Sequence, residues 1–249
     1  MQKKIDLSVV VACYNEIEHI HESIPKLIEF LEEMKINYEI IMIDDCSNDG
    51  TRDYLPELSK KFPKIKLLMH EKNVGRGGTV TEGMKLSKGK FTGFLDIDLE
   101  TPPWYILPAY HYLNKGYDVV NAHRIHKLDL RIIMRTILSR GYVFLVKSIL
   151  GIPFEDTEAG FKFFNTKKII PVLEEIRDKK WFFDTEVIVR SYYKNYKIKI
   201  LPTLFLRRID KTSTVKVFSD SLDYFKKILK FRKEAKKLRK EWEILKRIN

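Results

Sequence analysis

Two aspartates separated by one residue are the first candidates for chemistry in this sequence. Asp96 and Asp98 come directly after the apolar run Phe91 to Leu95, which is typical of a strand. Because a strand has a period of two, both carboxylates are expected to point to one side. Such a pair suits a hard divalent ion, Mg²⁺ or Mn²⁺, and leaves coordination positions for diphosphate oxygens and water. Taken alone, this spacing more often marks an ordinary surface turn than a metal site.

Polar residues also follow other predicted strands at the point where each ends. The strand ends with this pattern are Cys13-Tyr14-Asn15-Glu16, the run from Asp44 to Thr51, and His123-Arg124. Ligands of parallel α/β sheets bind beyond the carboxyl ends of the strands, so these residues are expected to share one edge. A glycine-rich loop, Asn73 to Gly78, opens a helix and either brings backbone amides to a ligand or forms a simple turn.

Alternating strands and helices must position these residues, and this pattern predicts an α/β fold with a mostly parallel central sheet. The predicted strands are Leu7 to Ala12, Tyr38 to Ile43, Ile65 to Met69, Phe91 to Leu95, Tyr117 to Asn121, Phe161 to Phe164 and Ile198 to Leu201. Predicted helices lie near 17–34, 51–62, 79–87, 103–114, 129–150 and 184–195. Pro25 indicates either a kink or the true start of the first helix. From Leu222 onward, apolar residues recur at helical spacing between lysines.

The positive charge of the chain is concentrated in two segments. The formal net charge is +12, and residues 121–150 and 221–249 together account for all of it. Such segments favour contact with an anionic membrane leaflet, a phosphate-bearing lipid or nucleic acid, although a solvated charged helix explains the tail equally well. The longest apolar stretch, 141–154, is shorter than a membrane span. We therefore expect a chain that does not cross the bilayer. Cys13 and Cys46 fit neither a zinc site nor a disulfide framework.

Several segments together resemble the inverting family of nucleotide-sugar glycosyltransferases that includes the dolichyl- and polyprenyl-phosphate mannose and glucose synthases. They extend from Leu7 to about Thr214 and are VVACYNE, IMIDDCSNDGT, NVGRGG with the helix TVTEGMKLSKG, FLDIDLETPPW, VVNAHR, DTEAGFKFF, WFFDTEVIVRSY and RRIDKTST. The resemblance implies a GT-A, Rossmann-like fold with interfacial amphipathic helices. It also implies Mg²⁺ or Mn²⁺ as the cofactor and a GDP- or UDP-linked sugar as the donor.

The resemblance places a nucleotide pocket at the first two strand ends. Tyr14 and Glu16 match positions near the base and ribose, and Ala12 and Asp45 belong to the same pocket. The residues named suit GDP-mannose, UDP-glucose and UDP-N-acetylglucosamine alike.

The diphosphate is assigned to other segments of the same pattern. Asp96 and Asp98 match the family's Asp-x-Asp pair, which holds metal and diphosphate. The family's closing Arg-x-x-Gly-x-Ser-Lys is altered here, so that Arg208 is kept and Lys211 stands in for the missing lysine. Glu100 replaces a frequent glutamine, and its role stays open.

The acceptor is assigned to arginines. Arg124 stands where the lipid-phosphate members carry an arginine for the acceptor phosphate, and Arg135 with Ser139 resembles their second arginine and serine. Arginine grips phosphate through paired hydrogen bonds. The alternative is that Arg131, Arg135 and Arg140 merely decorate an interfacial helix.

The expected function is inverting transfer of a hexose to a polyprenyl (dolichyl) phosphate, by a peripheral protein at the cytoplasmic face of a membrane. Residues 1–214 would form the catalytic domain, including an acceptor and interface segment at 122–150. Residues 215–249 would form a basic amphipathic tail that adheres to the anionic surface.

Two alternatives remain. A hydroxyl acceptor on a glycan or lipid-linked saccharide requires a general base, for which Asp184 and Glu186 are the candidates. The expected catalytic residues are therefore Asp98, Arg124 and Glu186. The third possibility is a non-catalytic nucleotide- or nucleic-acid-binding protein, although the tail matches no nucleic-acid motif and no nucleic acid is expected.

Overall fold

The structure is a computed structural model and describes residues 4–125, 143, 146–206 and 217–248. Four predicted site residues, Arg135, Ser139, Arg208 and Lys211, lie outside the described residues. Most of the helix predicted at 129–150 also lies outside them, although residues 146–150 are helical.

Strands and helices alternate along the first half of the chain. The elements are β1 (Leu7–Cys13), α1 (Ile17–Glu33), β2 (Tyr38–Asp44), α2 (Thr51–Lys61), β3 (Ile65–Met69), α3 (Arg76–Leu86), β4 (Phe91–Leu95), α4 (Ile106–Asn114) and β5 (Val119–Ile125). A short 3₁₀ helix, Pro103–Tyr105, leads into α4. Pro25 lies inside α1, so it does not start the helix. The second half contains β6 (Phe161–Asn165), α5 (Thr166–Glu175), α6 (Phe183–Tyr193), β7 (Ile198–Leu204) and α7 (Val217–Ile248).

The strands form a single seven-stranded sheet in the order β3-β2-β1-β4-β6-β5-β7. All neighbouring pairs are parallel except those of β6, which runs antiparallel to both β4 and β5. The predicted α/β fold with a mostly parallel sheet is thus confirmed. Since β1, β2, β4 and β5 run the same way, their carboxyl ends meet at one edge, and the candidate residues follow those ends.

Helices cover both faces of the sheet, which explains why β1 is almost continuously apolar. Val9 and Val11 point into a core that includes Leu27 of α1, whereas Val10 points into the opposite core with Phe183 of α6. This alternation follows from the two-residue period of a strand. The packing of the buried strands therefore determines where the polar residues that follow each strand lie.

Helix α7 packs against residues between Val146 and Tyr193 in the second half of the chain. Its buried residues Ile228 and Phe231 contact a third apolar cluster that contains Phe182 and Tyr193, and the rings of Phe182 and Phe231 lie 5.5 Å apart. The opposite side of α7 carries most of the lysines and the exposed Leu229. Among the described residues, no helix has both the length and the apolar character needed to span a bilayer. The predicted domain boundary at 214 stays a prediction.

We predict that Ile228→Ala lowers the free energy of unfolding by about 2–4 kcal/mol, because it leaves a cavity beneath α7. The matched control is Leu229→Ala, at the neighbouring exposed position, which should change stability by less than about 0.5 kcal/mol. Urea unfolding monitored by circular dichroism measures both. Equal losses in the two variants would contradict this packing of α7.

Candidate active site

The two predicted acidic residues lie in the turn that follows β4. The backbone amide of Asp96 donates to the carbonyl of Gly160 at 2.9 Å, and the amide of Glu100 donates to Oδ1 of Asp98 at 3.2 Å. Ile97 between them is buried, whereas the side chain of Asp96 is 46% exposed. Asp96 therefore faces outward at the edge of the sheet, and Asp98 is half-buried in the same turn.

Asp96 is held by an arginine that the sequence analysis did not select. Nε and Nη2 of Arg76, the first residue of α3, donate to Oδ1 of Asp96 at 3.0 and 2.7 Å. Nη1 of the same guanidinium donates to Oδ2 of Asp184 at 2.5 Å. The buried Lys162 of β6 donates to the other oxygen of Asp184 at 2.9 Å. Four charged side chains thus form one connected cluster, which we call the Asp184 cluster.

The pKa values in this cluster follow from burial and neighbouring charge. The pKa of Asp96 is raised, because the surrounding protein removes hydration even though part of the side chain is exposed; Asp98 and Asp184 add repulsion that Arg76 only partly offsets. The pKa of Lys162 is lowered, since burial outweighs the attraction of Asp184. An additional cation near Asp96 and Asp98 would relieve the repulsion between their carboxylates.

A glycine in the next segment makes room for Asp96. A Cβ atom placed on Gly160 would lie 1.6 Å from Oδ2 of Asp96. Only a residue without a side chain therefore allows β6 to begin this close to the acidic pair.

Arg124 lies at the end of β5, where its guanidinium is fixed by Asp156. Nε and Nη2 donate to the two carboxylate oxygens of Asp156 at 2.8 and 2.9 Å, and the Arg124 backbone amide donates to Oδ2 at 3.0 Å. Burial alone would raise the pKa of Asp156, but the hydrogen bonds and charge of Arg124 lower it overall. The charge of Asp96 acts on Arg124 as well. The two clusters are therefore neighbours at one edge of the sheet.

The predicted nucleotide residues occupy the ends of β1 and β2. The Tyr14 side chain is exposed, Ala12 is half-buried, and the backbone amide of Glu16 donates to Thr51 Oγ1 at 2.8 Å. Asp45 is buried, and its carboxylate accepts hydrogen bonds from the amides of residues 74 and 75 at 2.8 and 2.9 Å. Nδ1 of His70 lies 2.8 Å from Oδ1 of the same carboxylate.

These contacts correct the interpretation of the glycine-rich loop. The amides of Val74 and Gly75 bind Asp45, and the amide of Gly78 binds the carbonyl of Lys179 at 3.0 Å. These three amides are therefore used within the protein. The loop instead positions Arg76 so that its guanidinium contacts Asp96.

The contacts of Glu186 are those of a structural residue. Its side chain is buried, and it accepts hydrogen bonds from the amides of Arg177 and Asp178 and from Nε of Arg190. Glu186 therefore holds α6 to the segment before it. Of the two candidate bases, only Asp184 lies in the cluster at the sheet edge, and both of its oxygens are paired with cations.

A family model described as glycosyl transferase family 2 matches residues 8–171, which is more than half of the chain. The chain belongs to glycosyl transferase family 2. The resemblance stated from the sequence motifs is thereby confirmed, as is the expectation of a hexosyltransferase.

One curated relative and two solved structures illustrate what this chain is similar to. Dolichyl-phosphate beta-glucosyltransferase of Dictyostelium discoideum is 29% identical over 253 residues, which cover 92% of this chain and 74% of that protein. Glucosyl-3-phosphoglycerate synthase from Mycobacterium tuberculosis, solved with Mn²⁺, UDP and glucosyl-3-phosphoglycerate, has a TM-score of 0.64 at 14% identity, covering 90% of this chain and 77% of that one.

A third protein of similar fold is the mannosyltransferase PcManGT from Pyrobaculum calidifontis, solved in complex with GDP-Man and Mn²⁺. Its TM-score is 0.57 at 12% identity, covering 84% of this chain and 59% of that chain. At these identities the structural likenesses establish the fold alone, and they confirm the predicted GT-A architecture of this family 2 glycosyltransferase.

Sequence reasoning missed Arg76, Lys162 and Asp156. All three lie inside segments that carry the family resemblance, namely NVGRGG and DTEAGFKFF. Their position inside these segments is the only sequence signal that could have identified them as site residues. Their partners are distant in the chain, so no regular spacing links them.

We predict that Gly160→Ala lowers the free energy of unfolding by about 1–3 kcal/mol, since the new methyl group must displace the Asp96 carboxylate. Gly78→Ala is the matched control, because a Cβ there meets only ordinary contacts, the nearest at 3.4 Å. Urea unfolding compares the two variants. A Gly160→Ala protein as stable as the control would disprove the close approach.

A second prediction concerns acid stability. Because the folded-state pKa of Asp156 is lowered, its pairing with Arg124 contributes stability above the unfolded carboxyl pKa of about 3.9. That contribution is lost as the pH falls through the lower folded-state value. Asp156→Asn should therefore reduce the slope of unfolding free energy against pH in this acid window, measured by urea titration. Arg124→Gln should do the same, and an unchanged slope in both variants would refute the assignment.

Proposed function

We propose that this glycosyltransferase transfers a hexose from a nucleoside-diphosphate sugar to a polyprenyl phosphate, with inversion at the anomeric carbon and with Mg²⁺ or Mn²⁺ bound. The observation that carries the proposal is the position of Arg124. Its guanidinium is oriented by Asp156 and lies at the same sheet edge as Asp96. The negative charge of Asp96 acts on this guanidinium. The similarity to the dolichyl-phosphate beta-glucosyltransferase of Dictyostelium discoideum supports a lipid-phosphate acceptor.

The residues present fit a divalent metal that is shared with the donor. Within residues 4–125, 143, 146–206 and 217–248, no three histidine, cysteine, aspartate or glutamate side chains gather as a metal site. Asp96 and Asp98 would therefore be its protein ligands, with diphosphate oxygens and water completing the shell, as Mg²⁺ often permits. Burial raises the pKa of Asp96, and Asp98 and Asp184 add repulsion that a cation bound here would offset. The bound ion would neutralise charge on the departing diphosphate.

The protein side chains then have distinct tasks. Arg76 positions the Asp96 carboxylate through hydrogen bonds, and Asp184 in turn positions the guanidinium of Arg76. Ala12, Tyr14, Glu16 and Asp45 would form or support the nucleotide pocket at the ends of β1 and β2.

Arg208 and Lys211 would close the donor site over the diphosphate. They lie outside the described residues, so this role rests on the sequence resemblance. The same holds for Arg135 and Ser139 as further contacts of the acceptor phosphate.

The acceptor needs little activation in this reaction. A phosphate monoester has its second pKa near 6, so it is largely dianionic at pH 7. Arg124 would hold one phosphate oxygen toward the anomeric carbon. A bond then forms from that oxygen as the bond to the diphosphate breaks, and no proton has to be removed.

The contacts of the two acidic candidates favour phosphate over a hydroxyl acceptor. A hydroxyl requires a general base, but Glu186 is buried away from the site and Asp184 is paired with both Lys162 and Arg76. We therefore rank transfer to a glycan hydroxyl second.

We also propose that the protein works at the cytoplasmic face of an anionic membrane. The outward side of α7 presents a row of exposed basic residues, including Lys226, Lys230, Lys233 and Lys237. Basic residues close to an anionic leaflet contribute about 1 kcal/mol each to adhesion.

The proposed reaction is tested by supplying polyprenyl phosphate or polyprenol, a divalent metal, and labelled GDP-mannose, UDP-glucose or UDP-N-acetylglucosamine. We predict transfer from one donor to the phosphate and none to the alcohol. Arg124→Gln should raise the KM for polyprenyl phosphate about tenfold or more, because it removes a charged hydrogen bond. Nucleotide binding, measured by calorimetry, should be unchanged.

Asp98→Ala should lower kcat by about a hundredfold or more in the same assay. Glu22→Ala, on the exposed side of α1, controls for the loss of a carboxylate elsewhere. Transfer to polyprenol in preference to its phosphate would refute the proposed acceptor.

A further inference from the structure

An apolar surface adjoins Arg124. Five of the eleven large apolar side chains exposed in the described part of the chain lie here, each between 41% and 53% exposed. We call them the Trp104 patch, which consists of Trp104, Leu107, Ile125, Leu204 and Leu206. Apolar residues scattered singly are ordinary on a protein surface, whereas a contiguous group marks an interaction site.

Backbone hydrogen bonds hold the segments of the patch together. The amide of Leu204 donates to Oη of Tyr105 at 2.9 Å, and the amide of Leu206 donates to the carbonyl of Glu100 at 2.8 Å. Ile125 and Leu204 are register partners in the sheet, so their side chains share a face.

The remaining two members come from the turn after the acidic pair. Trp104 and Leu107 are three residues apart across the 3₁₀ helix and α4, which places them on the same side of that helical segment. The ring of Trp104 lies 6.2 Å from that of Tyr105, whose hydroxyl accepts the hydrogen bond from β7. The patch is therefore built from three separate parts of the chain.

A basic side chain borders this apolar surface. Arg124 precedes Ile125, and its guanidinium lies 5.6 Å from the ring centre of Phe205. In the sequence, the basic pairs His126-Lys127 and Arg207-Arg208 directly follow Ile125 and Leu206. An apolar centre that includes tryptophan, with arginine beside it and basic residues next in the sequence, has the composition of a surface that sits in the interface of an anionic bilayer.

From this juxtaposition we propose that the Trp104 patch inserts into the interfacial region of a lipid bilayer. The inference rests on the proposed function, because a polyprenyl phosphate held at Arg124 needs an apolar path for its chain. Insertion of the patch places Arg124 at the depth of the lipid phosphates. The acceptor phosphate then reaches Arg124 without its hydrocarbon chain passing through water.

Quenching of tryptophan fluorescence by brominated lipids tests the insertion directly. Vesicles of phosphatidylcholine and phosphatidylglycerol with brominated acyl chains should quench the full-length protein. Trp104→Phe should keep vesicle binding, because the residue stays apolar, and should lose most of the quenching. Undiminished quenching in Trp104→Phe would overturn the proposal, since the other tryptophans would then be the inserted ones.

Paired substitutions measure the contribution of the patch to binding. Trp104→Gln with Leu107→Gln should weaken sedimentation with these vesicles by about tenfold or more. Leu86→Gln on α3 replaces a similarly exposed leucine that lies outside the patch and outside the basic side of α7, and it should leave binding within about twofold. An equal loss in this control would overturn the assignment to this patch. So would self-association of the wild-type protein that the double variant abolishes.

The outcome for the patch is separable from that for the reaction. The double variant should transfer sugar normally to a short, water-soluble isoprenyl phosphate and poorly to a long-chain polyprenyl phosphate in vesicles. Normal transfer to the long-chain acceptor would count against the patch while leaving the proposed function intact. If the wild type transfers to neither acceptor but its quenching still depends on Trp104, the proposed function fails and the membrane surface stands.

Discussion

The buried carboxylate of Asp184 is the interaction on which the site depends. It sits between Lys162 from β6 and Arg76 from the start of α3, and Arg76 in turn holds Asp96. Buried charges are stable only when they are paired. Removal of one partner leaves the other charge buried and unpaired, and this destabilises the fold by the full cost of its desolvation. Segments from distant parts of the chain must therefore meet before the acidic pair is in place.

One short segment, residues 156–162, connects the Asp184 cluster with Arg124. Asp156 orients Arg124, Gly160 leaves room for Asp96, and Lys162 neutralises Asp184. Thr157 Oγ1 lies 2.6 Å from Oγ1 of Thr185 in α6, which is hydrogen-bonded to the hydroxyl of Tyr224 in α7. Helix α7 is thus linked to the same segment through side-chain contacts, in addition to its apolar packing.

The sequence predicted the parts of this arrangement that are local. Apolar runs ending in polar residues located β1, β2, β4 and β5, and the family resemblance selected the acidic pair. The antiparallel direction of β6 was not predicted, because an apolar run carries no information about strand direction. Arg76 was missed because its partner Asp184 is 108 residues away. Glu186 was selected beside Asp184, but residues two apart on a helix point about 200° apart, and only Asp184 joins the cluster.

The charges of the two clusters suit a reaction between two anions. Four carboxylates, of Asp96, Asp98, Asp156 and Asp184, are balanced by three cations, of Arg76, Arg124 and Lys162. This set is one negative charge from neutrality, so a bound divalent ion would make it positive. Because every cation is already paired, its position is fixed before any ligand binds, which is the condition for electrostatic preorganisation. Under the proposed function, a diphosphate and a phosphate would then approach each other at an edge whose counter-charges are already fixed.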